Sequence, residues 1–178
     1  MVKVIEGIER LTCACGRIGA ALVLLLIFAM SYEVMMRYAF NAPTMWAYEI
    51  AAMLMGTSFL VTIAYAMVTQ SHVRVDFLYA RAGARGQALI DLAGYGVFLL
   101  PLALWMSWGL WNYFVQAYAS GETTGQSAWN PVVWPFRVAY VAGFALFSLQ
   151  IVAEILRCVL VLRDEAPPER EGRPDLAG

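Results

Sequence analysis

Charged residues are scarce in this sequence. Only 14% of its 178 residues are charged, whereas 61% are hydrophobic, and this balance is too apolar for a soluble globular domain of such a size. The formal net charge is −1, and the basic residues form no dense patch. Nucleic acid is therefore not an expected partner.

Residues that carry chemistry are equally few. A bound haem b usually needs two axial imidazoles and a zinc centre needs several N, O or S ligands, whereas His72 is the only histidine. The sequence has no phosphate-binding glycine loop and no G-x-S-x-G motif. The three cysteines, Cys13, Cys15 and Cys158, lie near predicted cytoplasmic helix ends, where thiols stay reduced. We therefore expect neither a cofactor or metal nor an enzyme, and treat a membrane enzyme or cytochrome subunit as a disfavoured alternative.

Long hydrophobic runs dominate what is present. A transmembrane helix needs about 20 mostly apolar residues, and such runs occupy residues 18–36, 45–69, 88–116 and 132–162. The first run follows a basic head but exceeds the core of about 7–15 residues of a signal peptide, so we interpret it as a retained helix. The predicted fold is an all-α membrane protein with four transmembrane helices: residues 1–17 form a cytoplasmic head, 18–162 the transmembrane domain, and 163–178 a charged, proline-rich, disordered tail.

Two local features refine these helices. Asn41 and Pro43 favour a tight turn between the first two helices, with Thr44 as the expected N-cap of the second. Pro101 is expected to kink the third helix, because proline lacks a backbone donor.

The distribution of basic residues predicts the orientation. Ten of the twelve Lys and Arg residues become cytoplasmic when both termini are inside, as the positive-inside rule requires. Aromatic residues typical of membrane interfaces flank the two loops that are then outside, namely Tyr38, Phe40, Trp46, Tyr48, Trp111, Tyr113, Tyr118, Trp129 and Trp134. Trp105, Trp108 and Trp111 form a stripe on the third helix that faces either lipid or a partner helix.

Charges near the membrane are the main candidates for function. Glu33 and Arg37 are four residues apart on one helix and are expected to pair. Glu49 is expected either to reach the outer interface or to contact Arg37. Near the inner end of the last helix, Glu154 and Arg157 are interpreted as a self-paired set, with Gln150 one turn away.

A second function class is a self-sufficient four-helix exporter with a glutamate on its first helix. Such a carboxylate has to stand unpaired near mid-membrane to exchange protons, whereas Glu33 lies near the outer helix end with Arg37 one turn away. This alternative is disfavoured.

Three short motifs resemble one family. Residues 37–49 (RYAFNAPTMWAYE) resemble the R-Y-x-F-x-x-P-x-x-W-x-x-E hairpin of the small, DctQ-like membrane subunit of the tripartite ATP-independent periplasmic (TRAP) transporters. Residues 72–76 (HVRVD) resemble the inner loop of that family. Residues 120–123 (SGET) and 131–137 (PVVWPFR) resemble its outer loop. The resemblance covers roughly residues 10–163.

The resemblance implies a scaffold-like permease subunit without a cofactor, in a bacterial inner membrane, with both termini cytoplasmic. Its partners would be the lipid bilayer, a large multi-helix permease subunit and a periplasmic solute-binding protein, and the complex would import a small organic acid or related anionic solute, driven by an ion gradient. The residues expected to contact partners are Arg37, Tyr38, Pro43, Trp46, Glu49, Glu122, Trp134 and Arg137 at the outer face, and His72, Arg74 and Asp76 at the inner face.

Overall fold

Four helical spans make up the protein in a computed structural model, which describes residues 1–69, 83–163 and 165. Helix α1 is Val2–Ala39 and α2 is Ala47–Val68. The third span combines α3 (Ala84–Ala93), a π-helical segment (Gly94–Leu99) and α4 (Leu100–Ser120). Helix α5 is Trp134–Leu162. Each of the four spans is long and apolar enough to cross a membrane, which confirms the predicted fold class.

Helix α1 is much longer than its apolar run. It begins at Val2, so the predicted head is a direct continuation of the first transmembrane helix. Within this head, Ile5, Glu9 and Thr12 are fully buried, and Ile5 packs in one cluster with Ala153 and Leu160 of α5. The head is therefore held by the last helix. The predicted tail lies outside the described residues apart from Arg163 and Glu165.

The π-helical segment lies immediately before Pro101. Proline cannot donate to the carbonyl four residues earlier, and its ring clashes with that carbonyl in a regular α-helix. The backbone widens here instead, and the amide of Leu100 donates to the carbonyl of Tyr95, five residues back. The predicted disturbance at Pro101 thus takes the form of a π-helical turn.

Helix α5 is the centre of the bundle, since it contacts α1, α2 and the third span. In an 18-residue apolar stretch of each span, 56% of the residues are buried in α5, against 6% in the third span. The main core cluster joins Leu146, Phe147 and Ile151 of α5 to Ala64 and Met67 of α2. Close approach depends on Gly143, where an added Cβ would lie 2.9 Å from the carbonyl oxygen of Leu60.

Candidate functional site

The loop between α1 and α2, which is the first outer loop in the predicted orientation, is organised by Glu33; the names outer and inner below follow that orientation. Its Oε1 accepts from Nη2 of Arg37 at 2.5 Å and from Nε at 3.0 Å, which confirms the predicted pair. Its Oε2 accepts from the backbone amide of Thr44 at 2.9 Å and also from the Thr44 hydroxyl. The expected N-cap role of Thr44 is wrong, because α2 begins at Ala47 and Thr44 instead ties the loop back to α1.

Glu49 connects the two outer loops. Its side chain is only 2% exposed, and its Oε2 accepts from the hydroxyl of Thr124 at 2.9 Å. Among the described residues, its Oε1 has no hydrogen-bond partner. The expected contact with Arg37 is therefore wrong, because Thr124 of the second outer loop binds Glu49 and the loop closes over it.

The second outer loop is held by Arg137. Its Nη2 donates to Oε1 of Glu122 at 2.7 Å, and its Nη1 donates to the carbonyl of Tyr113 at 2.9 Å. The guanidinium also lies 3.3 Å from the centroid of the Tyr113 ring, a cation–π contact. A planar group with several donors can make all three contacts at once.

The backbone of this loop is also paired. Thr123 and Val132 form an antiparallel bridge, and the amide of Val133 donates to the carbonyl of Glu122 at 3.0 Å. Gly121, with a positive φ of 61°, ends α4 in the left-handed conformation that favours glycine. The motif glycine thus makes the turn that places Glu122 against Arg137.

The exposed motif residues form an aromatic surface around this network. Trp46 stacks on Tyr32 with ring centroids 5.9 Å apart, and Trp134 packs edge-on against Tyr118 at 5.8 Å. Tyr38 is 82% exposed, and Pro43 is also exposed. We call the set of Glu33, Arg37, Glu49, Glu122 and Arg137 the outer polar layer.

A second polar cluster joins α1 to α5 at the other end. Nη2 of Arg157 lies 2.6 Å from Oε1 of Glu9, and Nε donates to the same oxygen at 2.7 Å. The hydroxyl of Thr12 donates to Oε1 of Gln150 at 3.1 Å, and Nε2 of Gln150 donates to Glu154 at 3.4 Å. We call Glu9, Thr12, Gln150, Glu154 and Arg157 the inner polar layer.

The inner polar layer corrects the interpretation of Arg157. The guanidinium forms its ion pair with α1, whereas we expected a self-contained set within α5. Sequence reasoning missed Glu9 and Thr12, although their spacing offered a signal. Ile5, Glu9, Thr12 and Gly16 recur every three or four residues, which places them on one face of α1, and all four are buried.

The two layers are separated by about the thickness of a membrane. Arg137 and Arg157 are about 30 Å apart along α5 at 1.5 Å per residue, and hydrocarbon is about 30 Å thick. Residues 18–32, 50–68, 92–120 and 138–153 of the four spans carry no Asp, Glu, Lys, Arg or His, and Arg17 of α1 and Asp91 of α3 lie just beyond these stretches on the side of the inner polar layer. The layers therefore mark the two membrane boundaries, with an uncharged band between them.

A family model matches residues 26–161, and its description is "Tripartite ATP-independent periplasmic transporters, DctQ component". The chain belongs to this family. The match covers most of the chain and confirms the resemblance seen in the motifs, although it begins within α1, beyond Glu9. No curated protein matches the chain.

Membership makes this chain the small subunit of a TRAP transporter and a multi-pass membrane protein. The DctQ component is a part of a transporter and not an enzyme family. Of the outer-face residues predicted from the motifs, the structure gathers Arg37, Glu49, Glu122 and Arg137 into one layer. His72, Arg74 and Asp76, the predicted inner-face contacts, lie outside the described residues.

The remaining chemistry-bearing side chains form no metal centre in the described ranges. No three residues among His, Cys, Asp and Glu come together there to hold a metal ion, and Cys13, Cys15 and Cys158 form no disulfide within these ranges. In this DctQ component the charged groups at the membrane boundaries bind one another and join helices and loops.

Proposed function

We propose that this DctQ component is a static scaffold for a large multi-helix permease subunit, which carries the solute and the coupling ions. Together with a periplasmic solute-binding protein, the complex imports a small organic acid or a related anionic solute, driven by an ion gradient. The uncharged band between the two polar layers is the observation that carries this proposal. A coupled ion crossing within this chain would need charged side chains at that depth, so we assign its path to the partner.

The two layers support a scaffold in a second way. Each joins separate helices or loops through hydrogen-bonded charges, and Glu9, Glu49, Arg137 and Arg157 are buried. Buried polar contacts of this kind favour one arrangement of the helices, because any other leaves charged groups without partners. A chain with a fixed arrangement suits the stationary part of a transporter.

The residues expected to contact partners fall into two groups. Tyr38, Pro43, Trp46 and Trp134 offer exposed or partly exposed surface, and we propose that they contact the partners directly. Arg37, Glu49, Glu122 and Arg137 hold the two outer loops in place for that surface. We propose His72, Arg74 and Asp76 as contacts at the inner face.

We also propose that the chain lies in a bacterial inner membrane with both termini in the cytoplasm. The support is the distribution of basic residues, ten of twelve of which are then inside. Cysteine accessibility to a membrane-impermeant maleimide tests this orientation. With the native cysteines replaced by serine, Glu6→Cys should react only after the membrane is opened, and Ser127→Cys should react in intact cells with a permeable outer membrane.

The self-sufficient exporter is disfavoured by the site. Both oxygens of the Glu33 carboxylate are occupied, by Arg37 and by Thr44, and Glu33 lies in the outer polar layer. Proton exchange would require a carboxylate at mid-membrane that can release these partners. Efflux by the chain reconstituted alone, abolished by Glu33→Gln, would restore this alternative.

Affinity purification tests the scaffold proposal. The chain is tagged at its C-terminus, produced together with the other subunits of its transporter and purified in a mild detergent. We expect a large multi-helix subunit in near-equal amount. Proteoliposomes holding both membrane subunits, with the binding protein and an ion gradient, should accumulate solute, and liposomes lacking this chain should not. Recovery of a discrete homo-oligomer alone would contradict the proposal.

A further inference from the structure

Two tryptophans of the third span lie deep in the hydrocarbon. The carbonyl of Tyr113 binds Arg137, so Tyr113 marks the outer boundary on this span. Trp108 and Trp105 follow about 7.5 Å and about 12 Å further in, at 1.5 Å per residue. Half of the hydrocarbon is about 15 Å, so Trp105 lies near the midplane.

Both side chains are open to the surroundings. Trp105 is 71% exposed and Trp108 is 67% exposed. None of the described residues accepts a hydrogen bond from either indole. Trp46 and Trp134, by contrast, lie at the outer interface, where water and headgroups provide acceptors. A tryptophan normally finds a partner for its N–H, and lipid tails provide none.

A groove lies directly beside these tryptophans. It runs between the third span and α5, has a volume of about 460 Å³, and is lined by Leu100, Leu104 and Ser107 on one side and Ala145, Ser148 and Val152 on the other. At about 100° per residue, Trp108 is rotated only about 40° from Leu104 around the helix, so Trp108 flanks the groove. Trp105 is rotated about 100° from Leu104 and lies on the far side of Trp108 from the groove, so the two tryptophans form a face next to the groove. We call the groove and this face together the tryptophan groove.

The floor of the tryptophan groove is small and weakly polar. The hydroxyls of Ser107 and Ser148 lie 3.5 Å apart, and each also donates to a carbonyl of its own helix, at 2.7 and 2.9 Å. Membrane helices associate through small residues that allow close approach and through hydrogen bonds between helices. Ala145 and Ser148 give the close approach, and the two indoles give the donors.

We propose that the tryptophan groove binds a transmembrane helix of the large permease subunit. This helix supplies hydrogen-bond acceptors to the N–H groups of Trp105 and Trp108. This proposal rests on the proposed function. An acyl chain fills such a groove equally well but offers no acceptor at this depth. A protein helix offers Ser or Thr hydroxyls, or carbonyls freed at a break in the helix.

Photo-crosslinking in native membranes tests the occupant. We expect Trp105→benzoylphenylalanine and Trp108→benzoylphenylalanine to crosslink to the large subunit. The matched control is Phe28→benzoylphenylalanine in α1, since Phe28 is 71% exposed and lies about 7.5 Å inside the outer boundary marked by Glu33. We expect it to crosslink mainly to lipid. Crosslinks from positions 105 and 108 to lipid alone or to a second copy of this chain would overturn the proposal.

Complex yield gives a second readout. Trp105→Leu with Trp108→Leu should lower the large subunit recovered per small subunit by about tenfold, as expected for loss of two aromatic anchors, while the chain purified alone keeps its melting temperature. Leu24→Ala with Phe28→Ala should change the yield less than twofold. Trp105→Phe with Trp108→Phe removes the two N–H donors and keeps most of the aromatic contact area. This double variant should lower the recovered large subunit about threefold. An unchanged yield would overturn the role of the N–H groups.

The complex yields distinguish a wrong binding position for the partner helix from a wrong scaffold function. If the unaltered chain recovers the large subunit and the leucine variants do so equally, the partner helix lies elsewhere and the scaffold function stands. If the unaltered chain recovers no large subunit, both proposals fail.

Discussion

The outer and inner polar layers are built from contacts of different range. Outside, Glu33 binds Arg37 and Thr44, and Glu122 binds Arg137, all within 15 residues of each other. Inside, Glu9 and Arg157 are 148 residues apart, and Thr12 and Gln150 are 138 apart. The outer contacts mainly shape loops, whereas the inner contacts fix the first helix against the last.

The two layers also differ in their exposure to solvent. In each outer ion pair one member is about half exposed, Arg37 at 54% and Glu122 at 46%, while its partner is buried; in the inner pair both Arg157 and Glu9 are buried, at 7% and 1%. Exposed pairs contribute little to stability, while breaking a buried pair leaves one charge without compensation. The inner layer should therefore be far more sensitive to single substitutions.

The largest effect is expected from Arg157→Leu. The buried carboxylate of Glu9 loses its cation, and the free energy of unfolding should fall by about 3–5 kcal/mol. Denaturant titration in mixed micelles measures this change. Adding Glu9→Leu should restore most of the stability, because position 9 then no longer holds a buried carboxylate without its cation. A single variant within about 1 kcal/mol of the unaltered chain would contradict the importance of the inner pair.

Between the layers the helices are held mainly by close packing, and Gly143→Ala tests this. The added methyl meets the carbonyl of Leu60 at 2.9 Å, so α2 and α5 must separate, at a cost of about 1–3 kcal/mol. Gly109→Ala is the matched control, since nothing lies within 4 Å of its Cβ position. It should be neutral or stabilising by up to about 1 kcal/mol. Equal melting temperatures for both variants would show that the α2–α5 contact is loose.

Thr124→Val probes the outer-layer contact that spans the most sequence among the described residues, since Thr124 and Glu49 are 75 residues apart. The buried Glu49 carboxylate loses its hydrogen bond from the second outer loop, which should cost about 1–2 kcal/mol and speed proteolysis between residues 121 and 133. Thr123→Val is the control, since its side chain is exposed in the same loop. Equal protease resistance in the two variants would count against the Glu49–Thr124 link.

The smallest effect is expected from Arg37→Ala. The Arg37 side chain is half exposed, and Glu33 keeps both contacts with Thr44. The loss should be about 0.2–1 kcal/mol, as for other exposed ion pairs. The melting temperature measures this loss, and a drop as large as that of Arg157→Leu would remove the contrast between the layers.

The sequence predicted the four spans because each apolar run has the length that hydrocarbon requires. It also predicted the Glu33–Arg37 pair, since residues four apart on a helix face each other. The partners of Glu49 and Arg157 were missed because they come from distant parts of the chain, and hydropathy gives no information on which helices are neighbours. The start of α1 was missed for a related reason: residues 2–17 are too polar to resemble a membrane span, and their helix is held by α5.

The uncharged band has an electrical consequence. Moving one elementary charge through a potential of 100 mV involves about 2.3 kcal/mol, and this is the energy by which a voltage biases a membrane protein. In this chain most of the field falls across residues 18–32, 50–68, 92–120 and 138–153, which carry no charged side chain to displace. We therefore expect the small subunit to add little to any voltage dependence of the proposed uptake, which would then originate in the large subunit.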